Sequence, residues 1–348
     1  MHPISTGVLA GERLSLARAI SQVENGTPLG QQILNDLFPF TGEAHIVGIT
    51  GAPGTGKSSL VYRIALSVDT RTGIIAVDPT SPFSGGALLG DRVRMADLAK
   101  KKNVFIRSMA SRGETGGLSQ STAGAAQVMD AAGYALILIE TVGAGQAEIE
   151  IARLAHTVIV VEAPGMGDDI QANKAGILEI ADILVVNKAD LPGAENTARA
   201  LKMMLDIGRQ PVRGGMAEYH HQPISGSFQS EADSIPQHPS QGWKVPVVMT
   251  NAASGEGVDS LMAIVRHHWE FLHSSSIWQE RERERIARGL ERDVLRCLVE
   301  QWKQNLPAGL WESVINQVAQ REISPSQALD TVLGFVKPAG KIDTPISD

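Results

Sequence analysis

The sequence predicts an α/β fold built on an open, mostly parallel, wound sheet, with a helical lead-in and a helical tail. Seven short runs are almost continuously apolar, at 45–50 (HIVGIT), 73–78, 103–108, 134–140, 157–162, 182–187 and 245–250. Strands covered on both faces read this way, because neither face is left to water. Most of the runs are separated by helix-length segments, the alternation of a wound sheet. A glycine-rich turn at 51–56 joins the first run to the first of those segments.

Ahead of the sheet, residues 9–24 place Leu9, Leu14, Leu16, Ala19, Ile20 and Val23 at helical spacing, and Leu29, Ile33, Leu34 and Leu37 mark a second helix. Residues 1–41 are thus a helical lead-in and 42–266 the sheet domain. Within that domain, 209–241 is rich in Gly, Pro, Ser, Gln and His without apolar periodicity, and reads as a long surface insertion. Its His220, His221 and His238 admit a metal-site reading, but no carboxylate spacing supports one, and exposed loop histidines usually bind nothing. From 267 to 348 the chain reads as a helical dimerisation region. There Leu290, Val294, Leu298 and Trp302 recur every four residues on a segment full of Arg and Glu. This is either the core face of a solvated helix or an arm packing on another subunit, and the concentration of Trp278, Trp302 and Trp311 favours the arm. Ser324, Pro325 and Gln327 form a capping box that opens a last helix, expected to run to about Val336.

Composition narrows the function. Of the 348 residues, 43% are apolar and 20% charged, ordinary for a soluble globular chain. The formal net charge of -7 argues against nucleic-acid or anionic-membrane partners, since a surface that tracks phosphates needs a basic excess. No apolar run reaches membrane-spanning length. The first residues lack a signal-peptide pattern, and Glu12 and Glu24 argue against a transit sequence, so the expected compartment is the cytoplasm. The single cysteine, Cys297, excludes an intramolecular disulfide and a multi-cysteine zinc site; inert packing is the expectation for its thiol.

The chemistry begins at the glycine-rich turn. Gly51, Ala52, Pro53, Gly54, Thr55, Gly56, Lys57 and Ser58 fit G-x-x-x-x-G-K-[ST], with Ser59 beginning the helical pattern that follows. The glycines let backbone N–H groups turn inward on phosphate oxygens. Lys57 adds a point charge for the outer phosphates, and the Ser58 hydroxyl can ligate magnesium. A strand before and a helix after complete the P-loop NTPase arrangement, and the helix dipole reinforces anion binding. The base is chosen elsewhere. Asn187, Lys188, Ala189 and Asp190 form N-K-x-D at the end of an apolar run, where wound sheets bind ligands. The Asp190 carboxylate can accept from guanine N1–H and the exocyclic amine, a donor pair adenine lacks, and the Lys188 stem can cover the ring. After the last run, Asn251, Ala252 and Ala253 are expected to bring a backbone N–H to guanine O6. Asp78, Asp91 and Glu140 are candidates to serve magnesium, directly or through water. Glu140 is the clearest, since it ends a very apolar run before Thr141-Val142-Gly143. Ala144 stands where a water-orienting Gln is familiar in small GTPases, so unassisted hydrolysis is expected to be slow.

These stretches together resemble the MeaB/ArgK family, GTPase chaperones of adenosylcobalamin-dependent acyl-CoA mutases such as methylmalonyl-CoA mutase. The likeness lies in GITGAPGTGKSSL (48–60), VDPTSPFSGGALLGDRVRM (77–95), IRSMASRGETGGLS (106–119), ETVGAGQAEIEIARLAHT (140–157) and PGMGDDIQANKAGILEIADILVVNKAD (164–190). It implies GTP/GDP and Mg2+ as ligands, with Ser58, Asp78, Asp91 and Glu140 around the ion. Residues 78–95 and 140–146 would be switches. Residues 164–182, carrying Asp168, Asp169, Gln171 and Lys174, would be a further switch toward the mutase, with Lys174 as its catalytic mediator beside Lys57 and Glu140. It also implies a homodimer joined through C-terminal helices. The long 209–241 insertion and Asn251, where serine is common, depart from the family pattern. Two other functions stand as alternatives. One is a kinase-type phosphotransferase of basic amino-acid transport, for which no second-substrate apparatus is visible; the other is nickel delivery, which would want Cys and His ligands near the switches.

Overall fold

In the computed structural model, which describes residues 1–78, 97–98, 101–110, 117–141, 151–165, 179–208, 242–274 and 277–334, the apolar runs are seven strands. They are β1 (His45–Thr50), β2 (Thr72–Asp78), β3 (Val104–Ala110), β4 (Leu136–Glu140), β5 (Thr157–Glu162), β6 (Ile183–Val186) and β7 (Val247–Met249). All neighbours pair in parallel, in the order β3-β2-β4-β1-β5-β6-β7. The wound α/β sheet expected from the sequence is the one observed. β1 lies between β4 and β5, so its C-terminal end opens at the switch point where such sheets bind ligands.

Both faces of the sheet are covered. On one, Ile46, Ile137, Ile139, Val158 and Val160 share a buried core with α5 (Gly117–Ala131) and α6 (Ala194–Gly208), and α1 (Pro3–Leu9), α2 (Arg13–Glu24) and α3 (Pro28–Leu37) extend that core by packing on α5 and one another. On the other, Val47, Ile49, Leu136, Leu138, Ile159 and Val161 meet Leu60, Val61 and Ile64 of α4 (Lys57–Ser67) and Leu261 and Val265 of α7 (Val258–Ser274). Successive strand residues point to opposite faces, so the middles of the central strands are apolar on both. Each such side chain contributes about 1.5–3 kcal/mol of burial.

The lead-in differs from expectation in one respect. A single helix was expected over 9–24, but α2 begins at Arg13, and Leu9 ends a separate helix, α1. Pro3 sits in the first turn of α1, His2 Nδ1 accepts from the Ile4 N–H at 3.2 Å, and Gly11 takes φ +77 to break the run. Asp36 at the end of α3 secures this start, accepting from the His2 N–H at 2.6 Å and from Ser5 Oγ at 3.0 Å.

At the N-terminal edge of the sheet a buried polar relay ties α7 to β1 and β5. Thr157 Oγ1 lies 2.7 Å from His45 Nε2 and 2.8 Å from His268 Nδ1, so at most one of the two imidazoles can take its single proton. His268 Nε2 is 3.4 Å from Asp182 Oδ1, and Asp182 Oδ2 accepts from the Val158 N–H at 2.9 Å. Burial first, then the neighbouring His268 and His273, pushes the His45 imidazole down to about 3, against a smaller opposing pull from Asp182.

The chain divides into two compact units, Met1–Trp278 and Gln279–Asp348. The second contains most of α8 (Ile277–Asn305), with α9 (Leu310–Ala319) and α10 (Pro325–Leu333). Its small core joins Val314, Ala328 and Val332 with Trp302 and Leu310, and Trp302 meets Trp311 edge-on at 5.7 Å. Trp302 thus leaves the four-residue stripe for this cluster, while Leu290, Val294 and Leu298 stay exposed. Cys297 is exposed as well, contrary to the packed thiol expected. The capping box at Ser324 is formed in full, though its helix ends at Leu333 rather than near Val336. No helix among the described residues is long and apolar enough to cross a membrane.

Candidate nucleotide site

The turn after β1 is shaped by its glycines. Gly51 takes φ +136, and a Cβ there would lie 2.1 Å from the Val161 carbonyl oxygen, so no other residue fits. Gly56, at φ +92, caps α4, and a Cβ on it would meet Asn187 Nδ2 at 2.4 Å. Between them Pro53 and Gly54 are exposed, and Thr55 is buried with its hydroxyl on the Ala52 carbonyl at 2.9 Å. Lys57 folds back into this loop. Its ammonium donates to the Gly51 carbonyl at 2.7 Å and the Ala52 carbonyl at 3.1 Å, and the residue is 6% exposed. Carbonyls of the phosphate loop therefore hold the cation that the sequence assigns to phosphate.

At the head of α4, Ser58 Oγ donates to Glu140 Oε1 at 2.5 Å. Glu140 is buried at the end of β4, which pairs with both β1 and β2. Two of the four expected magnesium residues are thus adjacent. Asp78 ends β2, two positions beyond Ala76, the residue in register with Glu140. The Asp78 side chain lies outside the described residues, as do Asp91, Gly143, Ala144, Asp168, Asp169, Gln171, Lys174 and the 209–241 insertion with His220, His221 and His238.

Asn187, just past β6 and 1% exposed, is the junction of the site. Its Nδ2 donates to the Thr55 carbonyl at 2.8 Å, while its Oδ1 accepts from the Ala252 N–H at 3.0 Å and Thr250 Oγ1 at 3.2 Å. One amide therefore joins the phosphate loop to the turn after β7. Lys188 adopts φ +57, and Asp190 stands exposed two residues on. The backbone N–H groups expected to face guanine O6 have protein partners here. Ala252 donates to Asn187, and Ala253 and Ser254 donate to Asn251 Oδ1 at 3.0 and 3.3 Å. A cleft of about 340 Å³ opens between these parts, lined by Ser58 and Ser59 of α4 and by Lys188, Asp190, Ala252 and Ala253.

Arg63 also lines this cleft and was not singled out in the sequence. Its Nε donates to the Ala252 carbonyl at 2.9 Å and its guanidinium also reaches the Ala253 carbonyl. No motif marks it; the only signal was a cation on an otherwise apolar stretch of α4.

Comparison with known proteins gives the family and the fold. The family model described as "Methylmalonyl Co-A mutase-associated GTPase MeaB" matches residues 16–306. A Pyrococcus abyssi protein named as a GTPase is 40% identical over 326 residues, covering 93% of each chain. The GTPase ArgK of Escherichia coli is 40% identical over 200 residues, 56% of this chain and 60% of its own. The mitochondrial methylmalonic aciduria type A homolog of Mus musculus is 32% identical over 285 residues, 77% of this chain and 62% of its own. A crystal structure titled LAO/AO transport system kinase superposes with a TM-score of 0.68 at 24% identity, covering 95% of this chain and 96% of that one, and shares the fold.

Proposed function

Because the chain belongs to the MeaB family of GTPases, we propose that it couples GTP hydrolysis to the loading or protection of an adenosylcobalamin-dependent acyl-CoA mutase, as a cytoplasmic chaperone. The observation that carries the nucleotide part is the Asn187 bridge, which sets the phosphate loop and the 250 turn on either side of one cleft. In this reading the inward N–H groups of 51–58 bind the phosphates, and Lys57 exchanges the Gly51 and Ala52 carbonyls for phosphate oxygens. Asp190 accepts from the two guanine donors at the far rim.

The residues present fit magnesium. Ser58 and Glu140 offer two hard oxygen donors 2.5 Å apart at the start of the P-loop helix, the donor type this cation takes. Asp78 and Asp91 are the further candidates. Bound there, the ion would neutralise charge on the outer phosphates.

Turnover is slow in this proposal, because Ala144 offers no group to orient water, and a partner completes the site by rearranging it. The segment 164–182, with Asp168, Asp169, Gln171 and Lys174, mediates that step. A second copy of this chain docks on α8, whose Ile286, Leu290, Val294 and Leu298 are 47–64% exposed in a stripe at four-residue steps. The test is GTP turnover with and without a saturating cobalamin-dependent mutase. Stimulation of the wild type, largely lost in Lys174→Ala at unchanged basal rate, is expected. Undiminished stimulation in the variant removes Lys174, and no stimulation by any such mutase removes the chaperone role.

A further inference from the structure

The turn after β7 is held with unusual completeness. Three consecutive peptide planes, 251–252, 252–253 and 253–254, each have both polar ends engaged. In the first, the Asn251 carbonyl accepts from the Gly255 N–H at 2.8 Å, and the Ala252 N–H donates to Asn187 Oδ1 at 3.0 Å. In the second and third, the Ala252 and Ala253 carbonyls accept from Arg63, while the Ala253 and Ser254 N–H groups converge on Asn251 Oδ1. A trans peptide is planar, with its C=O and N–H directed oppositely. Holding the carbonyl therefore aims the N–H.

The two sets of partners differ in kind. Asn187 and Asn251 occupy the N–H side, which a ligand carbonyl must use, so at least one of these bonds has to be given up when a base enters. Arg63 occupies the carbonyl side, where a purine keto oxygen does not compete. Its guanidinium spans two carbonyls from α4, the same helix that begins with Lys57 and Ser58. Two planar donors on one rigid group suit this task, whereas a lysine carries its donors on a single freely rotating nitrogen.

We propose that Arg63 is a positioning residue for base recognition: it keeps the peptide planes of 252–254 aimed into the cleft while their N–H groups exchange an asparagine oxygen for the purine O6. The proposal rests on reading this cleft as a guanine-nucleotide site. It adds that selectivity is set partly from the phosphate-loop helix, through a residue whose observed bonds go to protein carbonyls.

The test is titration of GDP, IDP and ADP onto wild type, Arg63→Ala and Arg63→Lys, with thermal unfolding of each protein without nucleotide. IDP keeps O6 but lacks the 2-amine, and ADP lacks O6. Arg63→Ala is expected to weaken GDP and IDP alike by about 10-fold, the scale of one hydrogen bond to a charged group, and to leave the weak ADP binding unchanged. The GDP-to-ADP ratio then falls by the same factor. Arg63→Lys should recover part of it. A wild-type ratio in Arg63→Ala overturns the proposal, as does an equal loss of all three nucleotides, which would mean general loosening. Should Arg63→Ala fail to fold, Arg63→Lys decides alone: an unchanged ratio there is the refuting result. Wild type that binds GDP and ADP equally would instead overturn the guanine reading itself.

Discussion

Replacing Asn187 with alanine removes a side chain that bonds directly to both the phosphate loop and the 250 turn. Three hydrogen bonds disappear, to the Thr55 carbonyl, the Ala252 N–H and the Thr250 hydroxyl. A neutral hydrogen bond is worth about 0.5–1.5 kcal/mol net, and a buried group left without its partner costs about 1–3 kcal/mol. Thr55 and Thr250 are fully buried and Ala252 nearly so, but Asn187 lines an open cleft through which water can enter. Water then replaces part of the loss, which places the net destabilisation at about 2–4 kcal/mol. For a unit of this size that lowers Tm by roughly 2–4 °C per kcal/mol. Urea unfolding of the nucleotide-free protein, followed by circular dichroism, gives the free energy, and GDP titration gives the functional cost. Loss of the bridge should raise the GDP dissociation constant beyond what lost stability explains, because the phosphate loop and the 250 turn no longer share a fixed spacing. An Asn187→Ala protein with wild-type urea midpoint and wild-type GDP affinity would refute the bridge as an energetic link. Wild-type midpoint with weakened GDP would leave it a recognition group only.

Three further perturbations test separate parts of the molecule. Asp190→Asn should weaken GTP by one to three orders of magnitude, on the rough scale for unpairing a recognition group, and favour xanthosine triphosphate; competition binding measures both, and unchanged GTP preference would exclude Asp190 as the base reader. Glu140→Gln keeps the shape but removes the carboxylate that accepts from Ser58, so magnesium-dependent turnover should fall more than GDP affinity. Equal losses in the two would mark a structural role. His45 supplies a pH signature. Its folded-state pKa of about 3 is below the ordinary 6.5, so the unfolded chain takes up a proton that the folded chain refuses between those values. Stability therefore falls as pH drops below 6.5, by on the order of 2–3 kcal/mol at pH 4.5. His45→Gln, which can still bond Thr157, should show that much less acid sensitivity in urea unfolding compared at pH 7 and 4.5.

Local chemistry was legible in the residues. Continuous apolar runs announce doubly covered strands, and β1 and β5 begin and end where the sequence reading placed them, because each apolar middle is bracketed by polar residues, His45 and Thr50 in one and Thr157 and Glu162 in the other. G-x-x-x-x-G-K-S marks a loop whose φ values and close contacts only glycine satisfies, so the motif itself encodes the geometry. The start of α1 was not legible in the same way, since its cap is a histidine and its anchor, Asp36, lies 34 residues away.

What the tertiary structure alone decided is who partners whom. Asn187 could be read as a guanine ligand, but only folding shows that its amide spans Thr55 and Ala252, residues 132 and 65 positions distant. Arg63 carried no motif, and Trp302 looked like one more step in a stripe until the second unit's core claimed it. The relay of His45, Thr157, His268 and Asp182 draws on four separate segments. Spacing along the chain encodes periodicity and turns, because those depend on neighbours. Long-range hydrogen bonds depend on which strand lies beside which, and that order, β3-β2-β4-β1-β5-β6-β7, is a property of the whole sheet rather than of any segment in it.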